Sequence, residues 1–353
     1  MKSTFNITVI FMLTFWGCSQ RIDFENEFMT DQLVVNAIVA ADSLIRVDVY
    51  RNTSINEATY IQVPDADVSI WQNGDRLETL KLDYTLTRNW YEPGKHDEYD
   101  TTFFYITTST KAFPGNAYQL EVKHHNFETA YCETTIPQPV QISGIDTSST
   151  YELAGNTESM QFNFTVHLSD PSENNNYYRI MVYQQVGRKY EDYTNEDTTS
   201  YIGINNWGLA HIKSNDPVFT NENEDADNEI IGGSLNSYDV FSDELFNGEN
   251  YKLNFQIIYA AMWSGGGGER EPEYKIEPGE FYHFTVELQS MSRETYLYFK
   301  SVDSQQSVND LPFIEPVPVF NNVENGMGIF GSYSSSRVEV TFGEYPVEGV
   351  EYR

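Results

Sequence analysis

Phe162-Asn163-Phe164-Thr165-Val166-His167-Leu168-Ser169 alternates apolar and polar side chains without a break. Successive side chains of a strand point to opposite faces, so this octet reads as a strand with one face in a core and one in water. The same period recurs downstream. Tyr178-Arg179-Ile180-Met181-Val182-Tyr183 reads as its partner strand. Tyr251, Leu253, Phe255, Ile257 and Tyr259 repeat the alternation, Phe281 to Leu288 forms a further strand, and Val338, Val340 and Phe342 a last one. One segment breaks the pattern. Met291, Thr295, Tyr298, Phe299 and Val302 have helical spacing, and Ser290 or Ser292 could cap a short helix near 291–306.

Upstream, period 2 begins at Leu33-Val34-Val35-Asn36-Ala37-Ile38-Val39 and continues at Ile45 to Tyr50. Ala66 to Trp71 runs into Asn73-Gly74, the strongest short hairpin signal. Phe103 to Ile106, the turn Pro114-Gly115-Asn116 and Tyr118 to Val122 follow. About seven short strands at such spacing read as an immunoglobulin-like sandwich. Pro137-Gln138-Pro139 reads as its exit linker. The expected fold is mainly β: an immunoglobulin-like sandwich over residues 30–138, then a second sandwich-like domain over 139–353 with one short helix.

Composition sets the chemistry. Asp plus Glu number 53 against 21 Lys plus Arg, a formal net charge of −32. That field repels phosphates and argues against nucleic-acid partners. Aromatics make up 15% of the chain, enough for a packed core. Two cysteines cannot build a disulfide scaffold. Cys132 sits in strand-like sequence and reads as a core thiol.

The first residues read as an address. Lys2 precedes the apolar run Phe5 to Trp16, which is shorter than the ~20 residues a spanning helix needs. Gly17-Cys18 follows, as in a lipoprotein signal peptide. Residues 1–17 are expected to be removed. Cys18 would then carry fatty-acyl chains of the palmitate kind, with residues 18–29 as a tether. Several acyl chains hold a protein to a membrane durably.

Candidate sites are few. Asn221 to Glu229 is the densest acidic run, and Glu222, Glu224, Asp225 and Asp227 could offer oxygens to calcium. The run lacks the Asp-x-Asp-x-Asp-Gly order, so a solvated loop is the plainer reading. Gly265 to Gly268 has no following Gly-Lys-Ser/Thr and reads as a hairpin tip, not a phosphate loop. No His-Glu-x-x-His pair and no Gly-x-Ser-x-Gly elbow appears. His124 and His125, read as strand neighbours, would point to opposite faces. No catalytic residue, metal or cofactor is therefore expected. Tyr190, Tyr193, Tyr201 and Trp207 lie in polar sequence and could stack on a ligand.

Several segments together carry a resemblance. They are Cys18 with its tether, Leu33-Val34-Val35, Asp65 to Ile70, Phe241 to Gly248 and Tyr296-Leu297-Tyr298. The most specific is Pro316 to Tyr333, with its Asn322-x-x-Asn325-Gly326-x-Gly328-x-Phe330-Gly331 core. The chain resembles the Bacteroidota lipoprotein family known as domain of unknown function 4249. The resemblance implies an outer-membrane lipoprotein, often encoded near a TonB-dependent receptor, and no reaction. Gly326, Gly328 and Gly331 would then permit positive φ or close backbone approach, with Met327, Ile329 and Phe330 packing inward. The phylum implies an O-glycosylation system reading Asp, then Ser or Thr, at Ser43, Thr101 and Thr198, all expected between strands.

The expected function is a non-catalytic, surface-displayed accessory binding subunit of a TonB-dependent outer-membrane transporter. A structural or assembly subunit of an outer-membrane complex is the first rival. A hydrolase with an unfamiliar site is the second.

Overall fold

The computed structural model describes residues 31–52, 61–88, 99–154, 157–192, 199–219, 238–262, 276, 279–309 and 318–344. Nine strands occupy the N-terminal part: β1 (Leu33–Ala40), β2 (Leu44–Arg51), β3 (Ile61–Gln62), β4 (Asp67–Gln72), β5 (Asp75–Thr79), β6 (Lys81–Arg88), β7 (Tyr99–Lys111), β8 (Ala117–Lys123) and β9 (Ala130–Thr135). Then come β10 (Ile142–Ala154), β11 (Thr157–Ser169), β12 (Tyr177–Asp192), β13 (Thr199–Leu209), β14 (Val240–Ser242), β15 (Asn250–Met262) and β16 (Phe281–Met291). Helix α1 (Arg293–Asn309) precedes β17 (Gly326–Gly343). The fold is mainly β and sandwich-like.

The first sandwich sets the sheet β5-β4-β8-β9 against β1, β2, β7 and β6. Its core is largely aliphatic, with Val35, Val47, Val49, Val68, Ile70 and Leu120 all buried. The β4–β5 hairpin turns at Asn73 and Gly74, both at positive φ (49° and 89°), the geometry a two-residue hairpin with right-handed twist requires. The second sandwich sets β10-β11-β15 against β13-β12-β16-β17. Its core is richer in rings, with Phe162, Phe164, Phe255, Tyr282 and Phe284 packed among aliphatic side chains. The chain passes from one core to the other between Ile136 and Val140, across Pro137-Gln138-Pro139.

β12 is not the partner of β11. β11 pairs with β10 and β15, while β12 lies in the facing layer beside β13 and β16. Both strands have one apolar face, and alternation cannot distinguish two strands that pair from two that face each other across a core.

β17 belongs to both sandwiches. Its first eight residues pair in parallel with β1, from Leu33 with Gly326 to Ala40 with Tyr333. From Tyr333 onward it pairs antiparallel with β16. Val323 and Phe330 consequently lie in the first core, although they follow the second sandwich in sequence. One ten-stranded sheet results, with β17 at its centre.

The glycines of the marker permit these contacts. A Cβ on Gly328, at φ +117°, would lie 2.1 Å from the Val35 carbonyl oxygen. A Cβ on Gly331 would lie 2.2 Å from Thr295 Oγ1. Gly326 is also close, 2.9 Å from the Leu33 carbonyl oxygen. Thr295 and Ser292 hold the start of α1 to the strand: the Ser332 N–H donates to Thr295 Oγ1 at 2.8 Å and the Thr295 N–H to Ser292 Oγ at 3.4 Å. Ser292 is thus the cap, and the helix begins at Arg293, leaving Met291 in β16. Ile329 and Phe330, on opposite faces of β17, are both buried as expected, but Met327, near the start of the strand, is 40% exposed. Among the described residues no helix is long and apolar enough to cross a membrane.

Candidate functional site

Alternation along β4, β8 and β9 buries Val68, Ile70, Leu120, Val122 and Cys132. It turns Trp71, Gln119, Glu121, Tyr131 and Glu133 to the other face. Register lines these up: Trp71 opposite Gln119, Gln119 opposite Glu133, and Glu121 opposite Tyr131. The segment before β17 closes one side. Tyr131 and Glu324 exchange backbone hydrogen bonds of 3.1 and 2.7 Å, so residue 324 extends the sheet beyond β9. The result is a cleft of about 650 Å³ that also touches Gly74 and Asn322.

Asparagines hold that segment in place. Asn322 Nδ2 donates to the carbonyls of Glu133 (3.2 Å) and Phe330 (2.9 Å), and its Oδ1 accepts the Phe330 N–H at 2.9 Å. Asn325, in the left-handed region at φ 57°, donates to the Thr129 carbonyl at 3.2 Å. Side-chain amides replace strand pairing where the backbone turns.

The cleft is negative and aromatic. Glu121, Glu133 and Glu324 line it, with Trp71 and the 42% exposed Tyr131. Lys123 Nζ meets Glu121 at 2.5 Å, and that hydrogen bond raises the lysine above its ordinary range. Gln119 Nε2 donates to Glu133 Oε2 at 3.2 Å. Arg76, on the adjoining strand, donates to Ser69 Oγ (2.8 Å) and Thr79 Oγ1 (2.6 Å). Burial pushes the Cys132 thiol up to about 12, which leaves it protonated and unreactive at neutral pH. The cleft offers stacking surfaces and acceptors, but no nucleophile paired with a base.

Two other clusters stand apart from it. His124 and His125 lie beyond the end of β8, not on a strand, and their rings are 4.2 Å apart rather than on opposite faces. With Asp65 they bring three ligand atoms within 4.8 Å of one another. The Asn126 N–H, however, donates to His124 Nδ1 at 3.2 Å. The proton of neutral His124 therefore sits on Nε2, which faces Asp65 Oδ2 at 3.2 Å, and a metal would need that lone pair. The second cluster lies under α1. The Arg179 guanidinium is 4.9 Å from the Phe299 ring centre, and its Nε donates to the Tyr238 carbonyl at 2.8 Å. Burial, aided by repulsion from Asp303 and opposed by Arg179, brings the Asp239 carboxyl up to about 7.

The described residues among those singled out from the sequence lie on several elements. Tyr190 and Tyr201 pair across β12 and β13. Trp207 is the extra residue of a bulge, between the Gln184–Gly208 and Gln185–Asn206 pairs. Six residues at ~3.3 Å each put it about 20 Å along the strand from Tyr201. Thr101 is exposed but lies within β7, opposite Leu86, not between strands. Ser43 is half-buried in the β1–β2 turn, where its hydroxyl donates to the Ala40 carbonyl at 2.6 Å. Cys18, Tyr193, Thr198, Glu222, Glu224, Asp225 and Asp227 lie outside the described residues, as does Gly265 to Gly268. The sequence reading passed over Trp71 and Tyr131 as site residues. Their alternation was visible, but the register that brings them to one cleft was not.

No curated protein matches the chain. The model of a family described as a domain of unknown function (DUF4249) matches residues 19–339. That span includes both sandwiches, the cleft and the glycine-rich marker, and the chain belongs to the DUF4249 family.

Proposed function

We propose that this protein is a non-catalytic accessory binding subunit of a TonB-dependent outer-membrane transporter. In this reading Cys18 carries the lipid that anchors it to the outer membrane of a Bacteroidota cell, with the two sandwiches displayed at the surface. The observation that carries the binding role is the aromatic-lined cleft between β4, β8, β9 and Glu324. A concave site with rings and a few polar groups is the usual form of a ligand pocket. Affinity capture of the native lipoprotein from detergent-solubilised outer membrane tests the partnership. Recovery of a TonB-dependent receptor in stoichiometric amount is expected, and its absence overturns the reading. Cys18→Ala should release the protein in soluble form.

One observation favours a structural or assembly subunit. Among the described residues β6 is an edge strand, and Leu82 (42%), Tyr84 (56%) and Leu86 (56%) are exposed on one face of it. The stripe shares no residue with the cleft, and apolar surface of this kind marks interaction sites. Leu82→Ser with Leu86→Ser should abolish complex recovery on this reading and leave it intact on the first.

A further inference from the structure

We infer that the cleft takes a small organic polycation, an amine or guanidinium compound with an apolar skirt. This rests on the proposal that the cleft is a binding site and names what it binds. The residues lining it supply three carboxylates and no basic side chain. Lys123 balances Glu121 from the strand's end, and among the described residues no cation pairs with Glu133 or Glu324. Arg76 pairs opposite Trp71 across the β4–β5 hairpin, and its guanidinium is held by Ser69 and Thr79.

The rings add to the same preference. The faces of Trp71 and Tyr131 carry the negative side of an aromatic quadrupole, which attracts ammonium and guanidinium groups. An anion would meet three carboxylates at short range. A neutral ligand would gain the rings but would desolvate carboxylates with nothing to neutralise them. A polycation satisfies both features, stacking its carbon skeleton on the rings while its charged ends reach Glu133 and Glu324. The volume, about 650 Å³, suits a compound of drug-like size. The net charge of −32 steers cations to the surface as a whole.

Isothermal titration of the protein with spermine, tri-arginine amide, maltotriose and citrate tests the inference. The first two should bind at one site, and their difference separates ammonium from guanidinium preference. Raising salt from 50 to 500 mM should weaken binding about tenfold or more. Glu133→Gln with Glu324→Gln should weaken it about tenfold, and Trp71→Ala by a similar factor. Glu339→Gln, outside the cleft, should leave it unchanged. Circular dichroism confirms that each variant folds. Binding unaffected by the cleft variants would overturn the inference, as nonspecific attraction. Salt-insensitive maltotriose binding lost in Trp71→Ala would overturn the ligand class while leaving the cleft a binding site. If no probe binds but the transporter is still captured, the ligand class falls and the accessory role stands. If spermine binds but no transporter is captured, the accessory role falls and the ligand class stands.

Discussion

The first sandwich fills its interior with Val35, Val47, Val49, Val68 and Ile70, whereas the second uses Phe162, Phe164, Phe255 and Phe284. Branched aliphatic side chains suit a pleated layer and adjust to neighbours in small steps. Rings do not. Phe164 stacks on Phe255 at 5.1 Å and 15°, and Phe162 meets Tyr282 at 4.8 Å. Each ring position constrains the next. The aliphatic interior leaves Trp71 and Tyr131 for an outer face, where they line the cleft. Aromatic residues therefore contribute more to the interior of the second sandwich, while in the first Trp71 and Tyr131 line an outer cleft.

The largest effect should come from joining the two halves badly. Gly328→Ala puts a methyl group against the Val35 carbonyl oxygen, which cannot move without breaking the parallel pair. We expect a loss of at least about 3 kcal/mol by urea titration. A loss under about 1 kcal/mol would mean that the shared strand matters little. Next come the cores. Phe162→Ala should cost about 3–5 kcal/mol and Ile70→Val about 0.5–1.5 kcal/mol. Because β17 is common to both sandwiches, near-ultraviolet and far-ultraviolet signals should report one transition in each case.

Acid titration separates the regions by sign. Burial raises the Glu78 carboxyl, but hydrogen bonds from Thr110, Thr108 and Ser109 outweigh it and bring it down to about 2. Its folded value lies below the unfolded one, so its contribution is present above pH about 4.5 and is lost as pH falls toward 2. Asp239 runs the other way. Its folded value of about 7 exceeds the ordinary 3.8, so stability rises as pH falls from 7 toward 4. Thermal unfolding of Glu78→Gln and Asp239→Asn across this range should flatten the two slopes separately. The smallest effect belongs to the cleft. Trp71→Ala should change stability by no more than about 0.5 kcal/mol, since the indole lies on an outer face.

The strands were legible because period 2 is written locally. The Asn73-Gly74 hairpin was legible for the same reason, and the helix cap was narrowed to Ser290 or Ser292, of which the structure uses Ser292. What escaped was register at a distance. Pro316 to Tyr333 was recognisable as a marker, yet nothing local says that Gly328 meets Val35 or that Gly331 meets Thr295. The cleft escaped likewise, because Glu324 joins Tyr131 from 193 residues away (324 − 131). His124 and His125 were misplaced because β8 ends one residue before them.

The parallel pairing of β1 with β17 also bears on how the molecule is made. Parallel neighbours need a crossover, and among the described residues the crossover contains all the remaining strands, β2 to β16. Leu33 and Gly326 are 293 positions apart (326 − 33). Closing so long a loop is entropically unfavourable, and contacts of this separation slow folding. β1 must therefore wait, with one edge open, until β17 has been delivered and the second sandwich can present it. During that interval the backbone groups of Leu33, Val35, Ala37 and Val39 that face β17 form an unpaired strand edge, the kind of surface on which chains aggregate. Refolding of this protein should accordingly be slow, and prone to aggregation until β17 is in place.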